Sequence, residues 1–201
     1  MTAAPLAAFA ASPSIRASLR VAGLLVALGV IVGARWAATV GGVGDALSIG
    51  LVFGLALTTL AVLAGQRVGM PTPAALGIGA MGGAALVALA VLAHLGAAGP
   101  SLAPAAAFLP WASITILVAT GEELILRGVL FVAIRRHFGV AVAVALTSVV
   151  FALIHVPLYG WHVVPLDLGV GIWLGGLRLL GRGVAAPAVA HVLADLVTWW
   201  L

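Results

Sequence analysis

FLPWASITILVATGEELILRGVLFVAI, residues 108–134, holds Glu122, Glu123 and Arg127 inside an apolar run long enough to cross a bilayer. These two glutamates are the only ones in the chain. At the centre of a bilayer each ionisable side chain costs roughly 2.5–3.5 kcal/mol, so the three together cost on the order of 8–10 kcal/mol before any pairing. A helix serving only to span would gain by carrying leucine instead, so the cluster points to function.

The surrounding sequence fits a membrane setting. Of 201 residues, 64% are hydrophobic and 7% charged, with a mean hydropathy of +1.31; soluble domains carry about 25% charged residues. This composition predicts an all-α, polytopic transmembrane helix bundle, with residues 1–20 a short N-terminal tail without the marks of a cleaved signal peptide. Residues 21–201 form a single transmembrane domain. The net charge of +4 comes from nine arginines scattered between apolar runs, which mark topology and form no nucleic-acid surface. Cysteine is absent, which excludes disulfides, a thiolate nucleophile and sulfur-ligated metals.

Apolar runs at about 21–40, 46–65, 74–95, 108–134, 139–157, 163–180 and 184–201 predict seven helices. Pro104, Pro110, Pro157, Pro165 and Pro187 are the expected sites of any break. With the N-terminus in the cytoplasm, Arg16, Arg20, Arg67, Arg135, Arg136, Arg178 and Arg182 lie inside and Arg35 alone outside, as the positive-inside rule requires. Trp36, Trp111, Tyr159, Trp161, Trp199 and Trp200 then gather at the outer interface. Gly29/Gly33, Gly50/Gly54, Gly79/Gly83 and Gly171/Gly175 have the four-residue spacing of close helix packing. No internal repeat marks an inverted-repeat transporter.

Within the fourth span Glu123 and Arg127 share a face and form an ion pair, whereas Glu122, rotated by about 100°, is free to face something else. Phe151 and His155 share a face of the fifth span. His191 and Asp195 share a face of the seventh, where the carboxylate can orient the imidazole. Counting about 1.5 Å per residue from the nearest cytoplasmic arginine puts Glu122 about 20 Å deep, His191 and Asp195 about 14 and 20 Å, and His155 about 28 Å. His155 is the outlier. Packing or interface roles suffice for His94, His137 and His162; Asp167, near the outer end of the sixth span, could line a substrate path, though a solvated helix end is the simpler reading.

Glu122-Glu123-Leu-Ile-Leu-Arg127, Phe151-Ala-Leu-Ile-His155 and His191-Val-Leu-Ala-Asp195 resemble, in order, the motifs EExxxR, FxxxH and HxxxN/D of the CPBP family. These are intramembrane proteases that include type II CAAX prenyl endopeptidases and bacterial Abi or bacteriocin-immunity proteins. The resemblance covers residues 108–201, the expected catalytic core. It implies hydrolysis of a peptide bond in a membrane-associated substrate, in a lipid setting that for this alanine- and arginine-rich chain is expected to be a bacterial cell membrane. Glu122 would be the general base, assisted by His155. His191 and Asp195 would polarise the scissile carbonyl or complete the water site, while Glu123 and Arg127 hold the helix. Where many relatives have Asn this chain has Asp195, which would donate as a neutral acid or orient His191.

Hydrolysis also demands a strong base and a water path, and a carboxylate withdrawn from water is a stronger base than one in it. A divalent metal such as zinc is the alternative to metal-free catalysis, and would be held by Glu122, His155, His191 and Asp195; the HExxH pattern of soluble zinc enzymes is absent. The competing readings are a proton-coupled transporter, with the same groups as a relay, and a non-catalytic immunity or scaffold protein.

Overall fold

The computed structural model describes residues 13–67, 69–94 and 105–201. Residues 1–12 of the expected tail, and Pro104, lie outside the described residues. Among those described the chain is helical throughout: α1 Pro13–Val40, α2 Ala46–Leu63, α3 Pro73–His94, α4 Phe108–Glu123, a π-helical segment Leu124–Leu130, α5 Phe131–Tyr159, α6 Val164–Leu180 and α7 Ala185–Val197. Residues 13–20, read from the sequence as tail, are thus the first turns of α1.

Five helical stretches are long and apolar enough to span a membrane, one of them the 52-residue run Phe108–Tyr159. That run is two spans folded at Gly139, whose φ of 85° and ψ of 174° no helix accommodates. The fold-back is visible in the contacts: Arg127 lies over the Phe151 ring, and Glu122 faces His155. Each pair straddles Gly139 almost symmetrically. None of the four described prolines breaks a helix. Pro110, Pro165 and Pro187 occupy first turns, where a missing N–H costs nothing, and Pro157 stands in the last turn of α5.

Helix directions alternate along the chain. α1 and α2 are antiparallel, with the Arg20 guanidinium donating to the Ala64 carbonyl and Arg35 stacked on Phe53. α2 and α4 run parallel, Gly50 meeting Ile114 and Gly54 meeting Leu117. α4 and α7 are antiparallel, so Phe108 and Trp111 pack on Trp199 and Trp200 with ring centroids 4.8–5.6 Å apart. One end of the bundle therefore gathers Arg20, Arg67, Arg135, Arg136, Arg178 and Arg182, and the other carries the aromatic residues and Arg35.

Three of the four glycine pairs are true packing positions. A Cβ at Gly79 or Gly83 would strike α7, at Gly50 or Gly54 α4, and at Gly171 or Gly175 α5. Gly29 and Gly33 meet nothing within 4 Å, so their spacing carries no contact. At Gly171 a Cβ would stand 2.9 Å from the Ser148 Cα and 3.2 Å from its carbonyl oxygen, backbone that cannot turn aside. Gly171→Ala is expected to destabilise the protein by about 1–3 kcal/mol, the usual range for overpacking. Gly29→Ala should be neutral. Thermal unfolding of both variants in detergent checks the contrast, and equal melting temperatures would refute the packing assignment.

Candidate active site

The π-helical segment directly follows the paired glutamates. All seven of its residues, Leu124–Leu130, are buried, and such wide turns occur mostly at functional sites. Gly128 lets the Gln66 side chain approach where a Cβ would collide with it. Arg178, which the sequence suggests only as a topology marker, donates from Nε to the Arg127 carbonyl at 2.8 Å and lies over the Phe131 ring. That bond ties α6 to the segment.

Arg127 is fully buried and aligned on three sides. Its Nη1 donates to Glu123 Oε1 at 2.7 Å, its Nη2 to the Gly171 carbonyl at 3.1 Å, and its guanidinium lies 4.7 Å from the centre of the Phe151 ring. The expected Glu123–Arg127 pair is therefore present. Glu123 also accepts from His191 Nδ1 at 3.0 Å, so one buried carboxylate joins the arginine to the imidazole of α7. Sequence spacing shows only the first of these bonds, because the second crosses between helices.

Phe151 sits between the groups that need holding. Its ring meets the His155 ring edge-on at a centroid distance of 4.8 Å and the His191 ring at 5.3 Å. Rings in these T-shaped contacts resist rotation.

Both imidazoles are fixed through Nδ1. His155 Nδ1 lies 2.8 Å from the Phe151 carbonyl, which can only accept, so Nδ1 carries the proton and Nε2 presents a lone pair. Asp167 Oδ2 stands 3.6 Å from the same Nδ1. Asp167 thus faces the cavity beside His155, as a residue lining a substrate path would, and is not merely a solvated helix end. No spacing rule pairs α5 with the start of α6, so the sequence carries no signal for it.

Glu122, only 3% exposed, faces both rings: its Oε2 lies 4.0 Å from His155 Nε2 and 3.9 Å from His191 Nε2. Asp195 Oδ2 lies 3.5 Å from His191 Nε2, and its side chain is 40% exposed. The depth mismatch predicted for His155 disappears because the hairpin turns at Gly139, beyond Arg135 and Arg136, so the two strands of the hairpin reach the same level. All four expected site residues converge.

These gaps are too long for direct hydrogen bonds. One water about 2.8 Å from both Glu122 Oε2 and His155 Nε2 would subtend about 90°, close to its own bond angle, and would donate both protons while turning a lone pair outward. The zinc alternative fares worse. Donors around a tetrahedral zinc lie about 3.3–3.6 Å apart; His191 and Asp195 at 3.5 Å meet this, but Glu122 stands beyond it at 3.9 and 4.0 Å from the two imidazoles. Among the described residues no group of three or more His, Asp or Glu side chains is arranged to hold a metal ion. The donor set as placed does not fit a metal.

A cavity of about 500 Å³ leads to this cluster from the aromatic end, lined by Glu122, His155, Asp167 and Asp195 at its floor and by Arg35, Trp111 and Tyr159 further out. Its α4 wall is the stripe Trp111, Ile114, Thr115, Val118 and Glu122. That stripe is one helical face. His94, His137 and His162 do not line the cavity, in keeping with interface roles.

Residues 104–197 match the family model described as Type II CAAX prenyl endopeptidase Rce1-like. The match takes in α4 to α7, and with them every motif residue named above. No curated protein and no solved structure matches the chain.

Proposed function

We propose that this integral membrane protein, whose residues 104–197 match the type II CAAX prenyl endopeptidase Rce1-like model, is an intramembrane protease of the CPBP family that hydrolyses a peptide bond in a membrane-associated substrate with water activated by Glu122. The observation that carries the reading is a nearly buried carboxylate facing two Nδ1-anchored imidazoles, with the carboxylate and one of the imidazoles, His155, lining the cavity.

Glu122 takes a proton from the water that it shares with His155 Nε2, and the water oxygen attacks the carbonyl carbon. His191, doubly protonated between Glu123 and Asp195, donates through Nε2 to the developing oxyanion. As the C–N bond breaks, the proton on Glu122 passes to the leaving nitrogen. Asp195 in this scheme orients His191. Phe151, Glu123 and Arg127 hold the two rings. No step passes through a metal.

We place the arginine-bearing end in the cytoplasm of a bacterial membrane, as the positive-inside rule favours. The cavity then opens to the outer face. Because the chain has no cysteine, single introduced cysteines can map that orientation with an impermeant thiol reagent.

The function is tested by incubating the purified, vesicle-reconstituted protein with membrane-anchored peptides and reading new termini by mass spectrometry. Cleavage unaffected by a strong chelator is the expected result. Proton-coupled uptake without cleavage would favour the transporter reading, and neither activity the scaffold. A finer variant probes the positioning of His155: Asp167→Asn should lower kcat about 10- to 100-fold, the range for partners that orient a working histidine, with KM nearly unchanged. A purely structural Asp167 would leave kcat alone.

A further inference from the structure

We propose that the groove between α1 and α2 is a binding site for a membrane phospholipid, with an acyl chain along the groove and the phosphate on Arg35. Both helices lie outside the residues 104–197 that match the family model. The groove has a volume of about 370 Å³ and is walled by α1 from Val30 to Ala38 and by α2 from Ser48 to Ala56. Apart from Arg35 and Ser48, every residue lining it is apolar. Its outer edge is open, with Val30, Val43 and Val52 66–69% exposed, so a chain enters it sideways from the bilayer.

Length and level both fit a lipid. Each wall runs just over two helical turns, about 12 Å, against about 15 Å for one leaflet's share of the hydrocarbon core. The 28 residues of α1 extend about 42 Å, the thickness of a bilayer with its headgroups, about 40–45 Å. Arg35 therefore sits about 8 Å in from the aromatic end of α1, where headgroups give way to chains. Trp36 beside it is 46% exposed and of the type that favours this level. The phosphate follows from the charge. Among the described residues Arg35 makes no ion pair, and Asp45, at the same end, accepts from the Leu47 and Ser48 N–H groups and the Ser48 hydroxyl. A cation at the edge of the hydrocarbon core is costly without an anion nearby. The Arg35 guanidinium carbon lies 4.3 Å from the centre of the Phe53 ring, so stacking takes its flat face and leaves the edge donors for two bonds to phosphate oxygens. Arg35 also lines the catalytic cavity, which places the headgroup at the cavity's rim.

The test reconstitutes the full chain in vesicles containing phosphatidylglycerol with a photoreactive diazirine on one acyl chain, and maps the cross-linked residues by mass spectrometry. Labelling of Ile31, Val52 and Ala56 should exceed that of Val149 and Leu153, exposed apolar residues of α5, by at least about fivefold, the scale of one arginine at an anionic lipid surface. Unlabelled phosphatidylglycerol should compete this excess away, whereas a neutral diacyl glycolipid with the same chains and water-soluble glycerol phosphate should not. Arg35→Gln should bring the groove down to the α5 level, and Arg35→Lys, which keeps a cation, should retain part of the excess. The wild-type competition decides by itself where Arg35→Gln does not fold. Groove labelling no higher than on α5, or erased equally by the neutral glycolipid, overturns the site. So does competition by glycerol phosphate, which would assign Arg35 to free phosphates, or an excess that survives in Arg35→Gln.

Discussion

Replacing Glu122 by glutamine is expected to cut peptide turnover by about 10³-fold or more while leaving the melting temperature unchanged. Glutamine keeps the shape and the polar contact surface of the side chain but cannot take the proton of the attacking water. Glu122 makes no direct hydrogen bond among the described residues, its closest imidazole nitrogen being 3.9 Å away, so the exchange breaks no bond of the fold. Its neighbour behaves differently. Glu123→Gln alters a carboxylate bonded to both Arg127 and His191, and should lose stability as well as rate. A Glu122→Gln protein that cleaves at a tenth of the normal rate or faster would remove Glu122 from the role of base.

Arg127→Ala carries the largest expected structural penalty, about 3–5 kcal/mol, because it strands a fully buried carboxylate that has lost its charge partner. The same change frees the Gly171 carbonyl and removes the cation from the Phe151 ring. α6 and the imidazole-bearing α5 loosen together. Purified yield and unfolding temperature should both fall sharply. Adding Glu123→Gln should recover part of the loss, since a neutral amide tolerates burial better than an orphaned charge; a double variant as unstable as the sum of its parts would show that the pair is not coupled.

Much of this arrangement is legible in the sequence because helices encode their own faces. Glu123 with Arg127, Phe151 with His155, and His191 with Asp195 are each four residues apart, so each pair could be placed on one surface without knowing the fold. Hydropathy likewise predicts the seven spans, and arginine and tryptophan positions predict which ends meet. What the sequence conceals is relative depth and contact between helices. Gly139 is one glycine among many, yet its left-handed backbone sets where the hairpin turns and brings His155 level with Glu122. Asp167 and the Glu123–His191 bond depend on how α6 and α7 dock, which no local spacing encodes. The π-helical turn is equally hidden, and the residues that meet it, Arg178 and Gln66, come from far away along the chain.

The most direct trial of water activated by Glu122 is a single-turnover cleavage run in ¹⁸O-labelled water and quenched in acid, with peptide and protein both weighed by mass spectrometry. The mechanism predicts one solvent oxygen in the new C-terminal carboxylate and a protein of unchanged mass at every time point. A protein that gains the mass of an acyl fragment, or a product without the label, would contradict it.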